Sequence, residues 1–182
     1  MSRYARDLVV PRLYSGESQQ SGRGSATVAG KYWLFKSEPT AYSFEDLVND
    51  GTAEWDGVRN FQVRNWLRDE IKTGDQVLYY YSNTKVIGIV GTASVVSDGY
   101  PDNTAWDPGS EHPDPKSTPD NPIWYMVDLK AGERFADTVT PDEMRPIVEL
   151  SEMVVLKKGN RLSITPVTKE EFETVVKLGQ AK

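Results

Sequence analysis

Short apolar runs separated by turn residues give the chain its most regular pattern. Residues 32–35 (YWLF) form an aromatic run ended by Pro39, which predicts a buried strand. Ser43 with Asp46 three positions on has the form of a capping box. Leu47 and Val48 follow and Gly51 stops the run, predicting a short helix. Asn60 is placed to cap a second helix over 61–72, closed by Gly74. Residues 76–81 and 85–96 read as strands joined at Ser82-Asn83-Thr84, a hairpin. Residues 99–122 hold six of the 11 prolines and no apolar periodicity, the mark of a long irregular loop, which in small domains is often functional. A strand is expected over 123–130, with 134–139 placed to pair with it. Thr140, Pro141 and Glu143 form a second capping box with proline at the first helical position. Residues 153–156 and 162–167 are strand-like, and Thr168 with Glu171 opens a final helix that Gly179 closes. Six or so strands with short helices between and after them predict an α+β domain. Its sheet is mixed or antiparallel and tends to barrel-like closure.

Composition narrows what such a domain does. The 182 residues suit one domain over about 31–180, preceded by a segment rich in Ser, Gly and Gln at 1–30. That segment reads as a disordered tail, an expression remnant or an organellar transit peptide, although Asp7 and Glu17 speak against the last. No apolar run approaches the ~18 residues of a membrane span. With no Cys and one His, no thiolate nucleophile, disulfide framework, Cys-based metal site or His-rich metal site can be built, and no cofactor is implied. Net charge is −6, but 1–29 carry four Arg against two acids, leaving 17 basic and 25 acidic residues, a balance of −8, in the rest. Nonspecific affinity for nucleic acid scales with the phosphates neutralised. A domain this acidic meets nucleic acid only through a small local site.

Candidate chemistry concentrates at Glu54-Trp55-Asp56-Gly57-Val58-Arg59-Asn60. An indole, a carboxylate, a guanidinium and an amide within one turn suit a flat heterocycle, stacked on Trp55 and bonded at its edge. The same residues suit a buried Trp beneath a capped helix, with Arg59 paired to an acid. Arg64, Arg68 and Lys72 recur at i, i+4 and i+8, a stripe fit for phosphate contacts or simply a solvated face neutralised by Asp69 and Glu70. Lys36-Ser37-Glu38 closes the first strand with ligand-capable groups. Along 123–130, alternation puts Ile123, Tyr125, Val127 and Leu129 on a core face. Trp124, Met126 and Asp128 fall on the other, an odd set for solvent but sensible for a pocket wall. His112 and Lys116 lie in the proline-rich loop, His112 as a general base or as an ordinary loop residue.

Taken in order, KYWLFKSEP, WDGVRNFQVRNWLR, GDQVLYYYSN, YPDNTAWDP, DPKS, PIWYMVDL and RLSITPVT resemble the EVE domain over about 31–178. The resemblance implies a PUA-like pseudo-barrel, related to the YTH and ASCH domains, with a cleft regarded as a reader of modified nucleobases: modified cytosine in DNA or a modified base in RNA. It would line that cleft with Ser37, Trp55, Asn60, Ser82, Asn83 and Lys116, and add Trp124 as an aromatic wall. Two positions depart from the family's usual pattern. Tyr81 stands where a histidine often precedes the SN pair, and His112-Pro113 where aromatics often precede DPKS.

The expected function is a non-catalytic reader, working as a monomer on nucleic acid that carries a modified base. Arg59, Arg64, Arg68 or Lys116 would meet phosphates. The expected compartment is the bacterial cytoplasm or the eukaryotic nucleus, or an organelle if the tail is a transit peptide. The alternatives are a nucleoside-directed hydrolase using Lys36, Glu38 and Asp56 as acid–base groups, and a protein-interaction module.

Overall fold

The computed structural model describes residues 30–182; the expectation for the rest of the tail lies outside them. In β1 (Tyr32–Ser37), Trp33, Leu34 and Phe35 are all buried. Such a run has no polar alternation because both faces of its strand are covered. Ser43 caps α1 (Phe44–Asp50) in a two-way capping box with Asp46, and Gly51 ends it at φ 77°. β2 (Thr52–Glu54) leads through the WDGVRN segment to α2 (Phe61–Asn65), capped by Asn60. β3 (Gln76–Tyr81) and β4 (Gly88–Val95) form the expected hairpin. The loop that follows contains β5 (Tyr100–Pro101), which pairs with β6 (Tyr125–Met126) in a small separate ribbon. β7 (Asp128–Val139), α3 (Pro141–Met144), β8 (Ile164–Val167) and α4 (Lys169–Gln180) complete the described chain.

Six strands make one sheet in the order β2-β7-β4-β3-β1-β8. Only β1 and β3 run parallel, and a parallel pair needs a crossover; α1, β2 and α2 supply it. The register slips once between β3 and β4 and twice between β4 and β7. Bulges of this kind increase twist and bend a strand. They curl the sheet into a half-barrel, open between β2 and β8, as the expected pseudo-barrel of about six strands requires.

Each face of the curled sheet carries its own core. Trp33, Phe35, Trp55 and Tyr79 pack with Val63 and Leu67 of the α2 region, while Leu34 and Leu78 pack with Phe135, Phe172 and Val175 beneath α4.

Four local expectations are corrected. Residues 134–139 do not pair back on 123–130 but continue the same strand, β7, which β4 and β2 both need as a partner. The chain breaks at Val127 instead, where its carbonyl accepts from the Trp55 backbone N–H at 2.7 Å, and both sides of the break are buried. Residues 154–156 form a 3-10 turn rather than a strand: the Leu156 N–H donates back to the Met153 carbonyl at 3.0 Å instead of across to a neighbouring strand. The helix begun at α2 turns π-helical over Trp66–Glu70 and ends before Ile71. Gly179 lies inside α4 and not at its end: a Cβ there would stand 2.4 Å from the Phe135 ring, so close packing, not capping, requires glycine.

Candidate functional site

The WDGVRN segment is sewn to the proline-rich loop through one buried ion pair. Arg59 Nη1 lies 2.7 Å from Asp102 Oδ2, whose side chain is fully buried. The Arg59 Nε and Nη2 groups both donate to the His112 carbonyl, at 2.9 and 2.6 Å. Asp102 also accepts from the Gly57 N–H at 3.1 Å. Gly57 sits at φ 71°, and a Cβ on it would come within 2.9 Å of His112 Cδ2, so both conformation and space call for glycine. Among the readings left open by the sequence, Arg59 therefore serves chiefly as a clamp between two loops.

Trp55 is 4 % exposed, with Phe35 and Tyr79 edge-on at centroid distances of 5.3 and 5.6 Å. A residue so enclosed belongs to the core first. Its surroundings are aromatic rather than aliphatic, and its indole N–H makes no hydrogen bond among the described residues. Asn60 Oδ1 accepts from Gln62 and Val63 N–H at 3.0 and 3.1 Å, committing its carbonyl to the helix cap and leaving its amide NH2 outward.

Beside this clamp lies a ladder of rings and guanidinium groups. Trp124, 5 % exposed, is anchored by its indole N–H donating to Asp114 Oδ2 at 2.7 Å. Phe61 stacks on it at 4.9 Å and 32°, Arg59 approaches it at 5.5 Å, and Arg64 covers Phe61 at 5.1 Å. Phe61 is 61 % exposed. It was missed in the sequence, yet a signal was present: Val63 and Leu67 form the buried stripe of this helix, and Phe61 falls off it. Arg64 also donates to the Ile123 carbonyl at 2.8 Å. Arg68 is held by both carboxylate oxygens of Asp69 at 2.7 Å, and the π-helical turn between Arg64 and Lys72 breaks the even spacing on which a continuous stripe depends. Lys116 is exposed in the nearby loop.

The other predicted residues meet at the end of β1. Lys36, Ser37, Glu38, Ser82, Arg161 and Ser163 border a cleft of about 210 Å³. Buried Ser37 donates to the Tyr42 carbonyl at 2.7 Å, and its own carbonyl receives the Ser82 N–H at 2.8 Å. Asn83, left-handed at φ 51°, donates through Nδ2 to Glu38 Oε2 at 3.1 Å. The structure thus gathers Ser37, Ser82 and Asn83 at one place and Arg59, Asn60, Arg64 and Trp124 at another. Trp55 connects them, since its ring packs on strands β1 and β3 and its chain runs on into Arg59. Tyr81, at the position where the family often has histidine, accepts from the Phe44 N–H at 2.7 Å and donates to Glu45 at 3.0 Å, serving the start of α1.

Burial shapes the charges around the site. It pushes the Asp56 carboxyl up to about 6, with the Asp102 and Glu54 carboxylates adding to the effect and Arg59 opposing it. It also raises Glu54 and lowers the Lys36 ammonium. No described cluster of three His, Cys, Asp or Glu side chains is arranged to hold a metal ion.

A curled mixed sheet, with a cleft where β1 and β3 end and a cation–aromatic ladder on α2 and the adjoining loop, makes this a small domain of the half-barrel class. The EVE domain model matches residues 31–178, and the chain belongs to that family. It is similar to rat thymocyte nuclear protein 1, 36 % identical over 170 residues, which cover 83 % of this chain and 74 % of the relative. Among solved structures it is similar to a Leishmania major hypothetical protein (41 % identical, TM-score 0.79, 84 % of this chain and 96 % of that one). It is likewise similar to the human THYN1 protein, solved in complex with 5-methylcytosine containing DNA (36 % identical, TM-score 0.76, 84 % of this chain and 99 % of that one).

Proposed function

We propose that this protein is a non-catalytic reader of a modified base in a nucleic-acid strand, with 5-methylcytosine in DNA as the first candidate. One observation carries the reading: a relative 36 % identical, aligned over 99 % of its length, was solved with DNA containing that base. The site's chemistry supports it. Phe61 offers a ring that is 61 % exposed, packed on Trp124 with Arg64 over it, a combination of aromatic and guanidinium groups suited to an unstacked base. Ser37 and Ser82 supply polar edges in the cleft, with Asn83 beside them on Glu38, Asn60 offers an exposed amide, and Lys116 and Arg64 are cations on the flanks, Arg68 being held by Asp69. Trp55 takes part through its edge beneath the site rather than as an open stacking face.

A reading without chemistry is favoured because Asp56 lies apart from Lys36 and Glu38, and Glu38 already has a partner. Glu38 is engaged with Asn83, whereas Asp56 lies with Asp102 and Glu54 on the other loop. The compartment we infer is that of the nucleic acid, the nucleus in a eukaryotic cell or the cytoplasm of a bacterium.

The test is a calorimetric or fluorescence titration with matched oligonucleotides, methylated and unmethylated. Burial of one methyl carbon is worth ~0.8 kcal/mol, so about a fourfold preference is expected. Equal affinity for every modified and unmodified strand would overturn the reading, and release of an altered base or nucleoside would replace it with an enzyme.

A further inference from the structure

We propose that the cleft at the end of β1 holds a phosphodiester of the bound strand, and that Lys36 and Arg161 are the cations that grip it. The proposal deepens the reader function given above and places one of its phosphate contacts away from α2.

Backbone pairing brings the two cations together: the Lys36 N–H donates to the Ser163 carbonyl at 2.8 Å, so the end of β1 lies alongside the segment carrying Arg161 into β8. Both side chains line the same cleft with Ser163. Neither cation makes an ion pair among the described residues, nor does the Ser163 hydroxyl have a hydrogen-bond partner there. Glu38, the acid nearest in sequence to Lys36, also borders the cleft, but accepts from Asn83 Nδ2 at 3.1 Å rather than pairing with Lys36. The cleft thus gathers two cations in a domain whose acids outnumber its bases by 25 to 17. Lys36 is the more telling of them. An ammonium left half-buried without a counter-ion loses hydration for no return, and burial lowers its proton affinity accordingly. An anion entering the cleft supplies the missing partner. The fork of Arg161 suits a pair of phosphate oxygens, and Lys36 suits a point charge beside it.

The space agrees with this guest. At about 210 Å³ the cleft is smaller than the ~300 Å³ or more of a drug-sized ligand pocket, which favours a small anionic group over a bulky one. By contrast, Arg68 in the π-helical turn after α2 is already bound to Asp69 through both carboxylate oxygens.

The full chain is titrated with 5-methyl-2′-deoxycytidine, with its 5′-monophosphate, and with a trinucleotide of the same base joined by two diesters and bearing no terminal phosphate. The wild type is expected to bind the phosphate-bearing ligands at least fivefold more tightly than the nucleoside. That ratio, taken within each variant, should fall below twofold in Arg161→Gln and in Lys36→Gln. Arg161 is exposed, so Arg161→Gln tests the proposal even where Lys36→Gln disturbs the strand end. A ratio that survives in Arg161→Gln, or that is absent from the wild type, overturns the proposal. A gain shown by the monophosphate alone overturns the assignment to a strand and leaves a free nucleotide as the ligand. The same experiment with unmethylated cytosine separates the two ideas. Loss of methyl preference with an intact phosphate gain removes the modified-base reading only, whereas the reverse pattern removes the phosphate site only.

Discussion

Arg59 and Asp102, 43 residues apart in the chain, meet at 2.7 Å where the WDGVRN segment crosses the proline-rich loop. Asp102 is fully buried and accepts from Gly57 as well, so its carboxylate fixes two backbone segments at once. Removing one partner of a buried pair leaves an uncompensated charge and costs ~3–5 kcal/mol. Asp102→Ala is therefore expected to destabilise the domain by about 3 kcal/mol, the lower figure because the Arg59 side chain keeps 22 % of its exposure. Urea unfolding measures this. A loss under 1 kcal/mol would mean that the loops hold together without the pair.

Phe61 provides the cleanest test of base stacking, because its ring contributes little to the core. Phe61→Ala should cost at most ~1.5 kcal/mol of stability, the contact with Trp124. If a base rests on the ring, oligonucleotide affinity drops by the ~1–3 kcal/mol of one stacked base, roughly 5- to 150-fold. Phe61→Trp should retain binding. Unchanged affinity in Phe61→Ala would remove this ring from the interface.

Trp55 behaves in the opposite way. With 4 % exposure and two edge-on aromatic neighbours, Trp55→Ala should cost ~3–5 kcal/mol, as large-to-small changes of buried aromatics do. The milder Trp55→Phe keeps most of the packing and is the variant in which binding can be compared. Thermal unfolding decides: a near-native midpoint for Trp55→Ala would show that the indole is not part of the packed interior.

Acidity should register through Asp56. Its folded pKa of about 6 stands above the ~3.9 of a free carboxylate, so between those values the folded state binds more protons than the unfolded one. Stability then falls as pH rises through this window: the favourable contribution is complete below about pH 4 and gone above pH 6. Glu54, also raised, acts in the same direction. Because Asp56 is only partly enclosed, a discounted effect of about 1–2 kcal/mol is expected. Asp56→Asn should be more stable than the wild type at pH 7.5 and show no such advantage at pH 4. An equal difference at both pH values would assign the effect to packing rather than to charge.

The elements legible in the sequence are those governed by neighbours along the chain. The capping boxes at Ser43, Thr140 and Thr168 and the cap at Asn60 all form as expected, since each depends on a side chain and a backbone N–H two or three residues away. β1 and β3 were equally visible, because strands covered on both faces leave unbroken apolar runs. The resemblance to a known family singled out Ser37, Ser82 and Asn83, which the fold brings together at the ends of β1 and β3.

Residues 123–139 and 154–156 were misjudged for one reason: apolar strand-like texture states that a segment is buried, not which backbone it pairs with. Gly179 read as a helix stop, and only the Phe135 ring opposite it shows why glycine is there.

Amino-acid order alone determined the helix starts, the buried strands, the acidic balance and the absence of cysteine chemistry. Tertiary structure alone decided that Arg59 is a clamp, that Trp55 is enclosed while Phe61 is open, and that Lys36 shares a cleft with Arg161. The first group follows from interactions spanning a few residues. The second is set by which distant surfaces meet when the sheet curls, and local chemistry carries no record of that meeting.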